Sequence, residues 1–142
     1  MTPRHILRIC SILVLAFAAP IPSLAADKPE KEAQAAAEQW LALIDAGQFA
    51  ESWQATASVF QAAVSQPQWK SSLESVRKPL GTLVSRKLKS AKYSKKLPGA
   101  PDGEYVVLQF TTSFTNKNGA VETVTPMLDK DGKWKVSGYF IK

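Results

Sequence analysis

The sequence predicts an α+β fold: three N-terminal helices packed on a curved, four-stranded antiparallel sheet. Three observations predict it. Apolar residues recur at helical spacing as far as Pro79 and Gly81. Beyond Gly81 the apolar period changes to two. The period-two segments are separated by turn signals, which join antiparallel neighbours.

The first helix begins near Glu30. Ala33, Ala37, Trp40, Leu41 and Ile44 share one face, Glu38 points away, and Gly47 is placed to end the helix in a left-handed conformation. A second helix carries Phe49, Trp53, Thr56, Phe60, Ala63 and Val64 on one stripe. The third starts at Ser65-Gln66-Pro67-Gln68, where Ser65 can cap, Gln68 can complete a capping box and Pro67 fits the first turn. Trp69, Leu73 and Val76 share its apolar face, and Pro79 and Gly81 close it.

Leu83–Tyr93 is a long strand in which Val and Leu alternate with cations. The Pro/Gly loop LPGAPDG (97–103) leads to Glu104–Thr115, the clearest strand, with Val106, Leu108, Phe110 and Phe114 facing one way and Gln109, Thr111, Ser113 and Thr115 the other. Asn118-Gly119 signals a two-residue hairpin. Ala120–Asp129 forms a third strand, where Pro126 requires a sheet edge or a bulge. Lys133–Ile141 forms the fourth, with Trp134, Val136 and Phe140 on one face.

The first 25 residues are read as a leader outside this fold. Arg4 and Arg8 give a positive start, Ile9–Ala19 is apolar, Pro20 and Pro22 break the run, and Ser23-Leu24-Ala25 offers small residues for cleavage before Ala26. The run is shorter than the ~20 apolar residues a membrane-spanning helix needs. An exported chain of residues 26–142 follows, periplasmic or extracellular, with one domain and no transmembrane segment. Cleavage removes His5 and Cys10, the only His and the only Cys. The remainder has no thiol nucleophile, no imidazole and no disulfide. It carries 16 Lys+Arg against 12 Asp+Glu, a mild positive balance that does not indicate a nucleic-acid binder.

An ordered string of landmarks covers nearly all of residues 26–142: Trp40-Leu41, Asp45-x-Gly47, Ser52-Trp53, Gln68-Trp69, Lys78-Pro79-Leu80-Gly81, Leu97-Pro98-Gly99-x-Pro101-Asp102-Gly103-Glu104-Tyr105, Glu122-x-Val124-Thr125-Pro126-Met127 and Gly138-Tyr139. In these the chain resembles the bacterial family catalogued as domain of unknown function 4019. The resemblance implies a cone-like α+β fold similar to nuclear transport factor 2-like and cystatin-like proteins. It implies no activity, cofactor or catalytic residue. Folds of that kind serve isomerases, dehydratases and plain binding modules alike.

Four groups of residues are candidates for chemistry. Asp129, Asp131 and Gly132 resemble part of a calcium loop, but setting Gly132 at its sixth position puts Met127 at the first and Gly138 at the twelfth, so too few oxygens remain. The stretch is expected to be a turn, and no metal or cofactor is expected. Arg86, Lys87, Lys89, Lys92, Lys95 and Lys96 form a basic strand with no acid; it either contacts an anionic surface or protects an exposed sheet edge. Tyr93 is the sole aromatic within it, too little stacking surface for a single-stranded nucleic acid. Trp40, Trp53, Trp69 and Trp134 are expected in the core; a ligand pocket, if formed, would involve Trp53, Phe60, Phe110, Tyr139 and Phe140.

The fourth group concerns acid–base work. Without His it falls to Glu122 or Asp45 acting with a tyrosine. Glu122 lies in phase with Val124 and can point inward toward Tyr105 or Tyr139, although a lysine on the next strand is the commoner partner for such a residue. The main expectation is a non-enzymatic binding or interaction module for a peptide, a small apolar ligand or an envelope surface. A small cone-fold enzyme is the alternative.

Overall fold

The computed structural model describes residues 28–142. The expected leader, residues 1–25, and its cleavage point lie outside the described residues. Among these residues the chain runs α1 (Lys28–Asp45), α2 (Phe49–Gln54), α3 (Ser58–Ala63), α4 (Gln66–Leu80), β1 (Leu83–Ser94), β2 (Tyr105–Phe114), β3 (Lys117–Leu128) and β4 (Trp134–Ile141). The strands form one antiparallel sheet in the order β1-β2-β3-β4. The fold is α+β, with all helices before all strands.

The predicted stripe of α1 is the buried one: Ala33, Ala37, Trp40, Leu41 and Ile44. Gly47 follows with φ +73°, a conformation that glycine takes without a Cβ clash. The helix lies across the sheet and touches all four strands. Together with Trp69 and Leu73 of α4 it buries Val106, Leu108, Phe110, Val124 and Val136. We call this covered side of the sheet the inner face.

The expected second helix is two. Its apolar stripe runs on, but the backbone breaks at Thr56 and Ala57, where the Ala57 amide donates to the Val136 carbonyl at 2.8 Å. Thr56 forms a single parallel bridge to Val136. The chain therefore touches the edge of β4 before α3 begins. Asp129 holds the start of α3 from outside, accepting from the Ser58 amide at 3.0 Å and hydroxyl at 2.8 Å. The capping box at Ser65 and Gln68 forms as expected. On α4, however, Val76 is 46% exposed and Arg77 only 7%. Arg77 follows Leu73 by four residues, so the two stack on one helix face.

One expectation about the sheet needs adjustment, and an open one is decided. The β2–β3 turn is Thr115-Asn116, since Phe114 pairs with Lys117. Asn118-Gly119 lies instead inside β3, where Gly119 takes φ +67° and the register slips. Asn-Gly supplies the left-handed residue of a bulge there rather than of the hairpin. Pro126 also marks a bulge, because the register shifts between Thr125 and Pro126 and β3 is an interior strand.

Asp129, Asp131 and Gly132 form the β3–β4 turn. The Asp129 amide donates to the Lys133 carbonyl, and Gly132 takes φ +77°. Lys135 lies 2.8 Å from Asp131 and 3.7 Å from Asp129. Among the described residues no group of three or more acidic, His or Cys side chains could hold a metal ion.

Candidate functional site

Six elements bring one charged residue or hydroxyl each to a shared point on the inner face. Asp45 is the last residue of α1, and Arg77 lies in the last turn of α4. Arg86 comes from β1, Thr112 from β2, Glu122 from β3 and Tyr139 from β4. Thr112 and Glu122 are inner-face residues by strand alternation, in phase with Phe110 and Val124, and both are 0% exposed.

Arg86 is the centre of the cluster. Its two terminal nitrogens donate to Asp45 in a paired fork, Nη1 to Oδ2 at 2.7 Å and Nη2 to Oδ1 at 3.0 Å. Its Nε donates to Glu122 Oε1 at 2.7 Å. A planar guanidinium can bridge two carboxylates in this way; a lysine cannot. Glu122 Oε1 also accepts from Thr112 Oγ1 at 2.6 Å, and Oε2 accepts from the Tyr139 hydroxyl at 2.6 Å. Arg77 donates from Nη2 to Asp45 Oδ1 at 2.9 Å, and its guanidinium lies 4.7 Å from the centre of the Phe114 ring. The Nε and Nη1 atoms of Arg77 are buried without a hydrogen-bond partner, so this aromatic contact is part of what compensates them.

Two cations face two anions, so the cluster is neutral. Burial opposes the charge of Asp45, but hydrogen bonds from Arg86 and Arg77 outweigh it and hold the carboxyl below its ordinary range. Burial likewise opposes the charge of Arg86, and Asp45 and Glu122 outweigh it, so the guanidinium is held still more firmly protonated. Tyr139 is pushed far upward, by burial first and then by the adjacent Glu122 charge. It is a hydrogen-bond donor here and does not ionise at physiological pH.

The floor of the cluster is aromatic. The Tyr139 ring stands 5.3 Å from Trp40 and 6.3 Å from Trp69, both edge-on, and the two tryptophans are 5.9 Å apart. Ser52 binds both indoles: Trp40 Nε1 donates to its carbonyl at 2.8 Å and Trp69 Nε1 to its hydroxyl at 3.0 Å. Beside the cluster is a small open depression of about 160 Å³, lined by residues that include Asp45, Arg77, Lys78 and Gly81. A typical ligand pocket is larger, about 300–1,000 Å³.

The expected pocket residues do not converge. Phe110 is 1% exposed in the core. Trp53 donates from Nε1 to the Val64 carbonyl at 2.7 Å and packs against the core. Phe60 stands edge-on to Trp69. Tyr139 and Phe140 meet only in a shallow groove of about 180 Å³ that they share with Trp69, Leu73 and Val76. Glu122 points inward to Tyr139, as one of its expected geometries has it; Tyr105 donates instead to the Pro101 carbonyl at 2.7 Å. Glu122 takes an arginine from two strands away rather than a lysine from the next strand.

The expected basic strand divides. Arg86 is internal, its side chain 12% exposed. Lys87, Lys89, Lys92, Lys95 and Lys96 are exposed on or beside edge strand β1. None of the five takes part in a salt bridge among the described residues. Arg77 escaped the sequence reading altogether, although its four-residue spacing from Leu73 was the available signal.

The landmarks that join the cluster, from Asp45 through Glu122 to Tyr139, lie within one family match. The family model described as "Protein of unknown function (DUF4019)" matches residues 36–139. The chain belongs to this family. Neither the comparison with curated proteins nor that with solved structures returns a match. Among the described residues of this family member, no helix is long and apolar enough to cross a membrane.

Proposed function

We propose that residues 26–142 form one exported, non-catalytic binding module with its contact surface on the outside of the sheet. The observation that carries this reading is the closure of the inner cluster. Glu122 already accepts three hydrogen bonds, and Asp45 is engaged by two arginines. A general base needs an oxygen free to take a proton from substrate. Glu122 keeps one acceptor site on Oε2, but the residue is 0% exposed, so a substrate proton does not reach it without opening the cluster. The aromatic filling beneath supports an outer contact over a small apolar ligand held inside the cone. Helices on one face of a sheet with bulges in its strands support the cone-like arrangement that the family resemblance implies. Export rests on the leader pattern of residues 1–25, with cleavage between Ala25 and Ala26.

Fractionation of an expressing bacterium, followed by N-terminal sequencing, tests the export half. The protein is expected in the periplasm or medium with Ala26 first; cytoplasmic protein retaining the leader would overturn it. The non-catalytic half is tested by incubating the protein with a small-molecule extract of its host. No component should disappear faster than with the Glu122→Gln or Asp45→Asn variant. A carboxylate-dependent loss would establish the enzyme reading instead.

A further inference from the structure

The outer face of the sheet has a one-sided charge. The four strands contain a single acid, Glu122, and it is buried on the inner face. On the outer face Lys87 pairs with Thr111 and Lys92 with Val107, while Ser85 pairs with Ser113 and Ser90 with Gln109. The register slips between Leu88 and Ser90, which makes Lys89 the extra residue of a bulge. Lys95 and Lys96 continue the row just past the end of β1. The asymmetry holds across residues 26–142: residues 82–142 carry eleven Lys+Arg against five Asp+Glu, and residues 26–81 carry five against seven.

The cations of β1 form a stripe along the sheet edge. Toward the other edge of the sheet, Lys135 is committed to Asp131, and Lys142 lies over the Phe140 ring. From Lys87 to Ser94 the strand covers about 23 Å at ~3.3 Å per residue. Because β1 is an edge strand, its outward backbone N–H groups face away from any partner strand. Apart from Val107, the outer-face neighbours of the lysines are hydroxyls and an amide: Ser85, Ser90, Gln109, Thr111 and Ser113. Such groups suit phosphate oxygens and alcohols. Tyr93, the one aromatic of this stretch, is turned to the inner side and donates to Glu104 at 2.8 Å, so it offers no stacking platform for a base.

We propose that the rim made by Lys87, Lys89, Lys92, Lys95 and Lys96 binds a linear polymer of phosphodiester-linked polyol units lying along β1. This inference rests on the binding-module reading above and names its partner. A stripe of cations beside hydroxyls matches a line of phosphates separated by alcohols. A single-stranded nucleic acid held by its bases would also need aromatics along the rim, and Tyr93 is turned inward; the titrations below separate the polymer from a bilayer.

The test is a fluorescence-anisotropy titration of the purified protein with a labelled poly(glycerol phosphate) oligomer at low and moderate salt. Five phosphate contacts predict roughly a hundredfold fall in affinity between 50 and 200 mM NaCl, by counterion release. The Lys87→Ala/Lys89→Ala/Lys92→Ala variant should bind more weakly, with a salt slope lower by about 2. Its unfolding midpoint should match the parent's. A helix-side variant, Lys28→Ala/Lys70→Ala, should bind as the parent does. Absent binding, salt-insensitive binding, or equal binding by the rim variant would overturn the inference. So would tighter binding to a thymidine oligonucleotide of equal charge, which assigns the rim to nucleic acid. Binding only to phosphatidylglycerol vesicles would also overturn it, in favour of a bilayer. These results leave the binding-module reading standing, because that reading falls to carboxylate-dependent turnover.

Discussion

The two faces of the sheet are built from the same four strands and handle charge in opposite ways. On the inner face, Arg77, Arg86, Asp45 and Glu122 neutralise one another within hydrogen-bond distance. On the outer face, lysines stand in solvent with no acid opposite. The difference teaches where to look for function. Buried charges that satisfy each other hold elements in register, whereas cations left without partners are available to something else.

Variants of the two faces should therefore separate stability from binding. The largest effect is expected for Arg86→Met, which leaves two carboxylates without their shared cation; urea unfolding should show a loss of about 3–5 kcal/mol. A loss below ~1 kcal/mol would erase the contrast between the faces. Tyr139→Phe removes one hydrogen bond to a buried carboxylate and should cost about 1.5–3 kcal/mol in the same assay.

The pH dependence has a defined sign. Because the folded-state carboxyl of Asp45 lies below its ordinary value of 3.8, its contribution is fully present above that value and is lost as pH falls through the lowered one. Asp45→Asn should flatten the part of the stability curve below about pH 4, measured by unfolding at a series of acid pH values. An unchanged slope would mean that Asp129 and Asp131, also held low by their partners, carry the acid sensitivity. The smallest effect is expected outside: Lys87→Ala and Lys92→Ala should each stay within about 0.5 kcal/mol of the parent. A larger loss would show that the outer lysines also serve the fold.

The legible parts were those that local pattern decides. The five-residue stripe of α1 and the capping box of α4 follow from spacing and side-chain chemistry alone, and Pro126 narrowed β3 to an edge or a bulge. The break between α2 and α3 was not legible, because the apolar stripe continues across it while a backbone contact to Val136, far along the chain, interrupts the helix. The inner cluster was half legible. Asp45 and Glu122 could be singled out, but their cation could not. On the string, Arg86 and Lys92 share a parity, so both read as one face of a basic strand. The bulge at Lys89 reverses the phase between them: Arg86 turns in and Lys92 turns out. A bulge costs one residue and leaves no compositional trace in a run of lysines.

The indole pair above Ser52 also gives the protein an optical signature. Trp40 and Trp69, 3% and 7% exposed, lie close together against Tyr139, itself bonded to Glu122. Fixed aromatic neighbours of this kind produce near-ultraviolet circular dichroism, a signal that disappears when side-chain packing loosens even if helices and strands persist. The reporter sits on the side of the sheet away from the lysines. A titration at the rim can thus be followed while the molecule's own tryptophans show whether the interior has stayed intact.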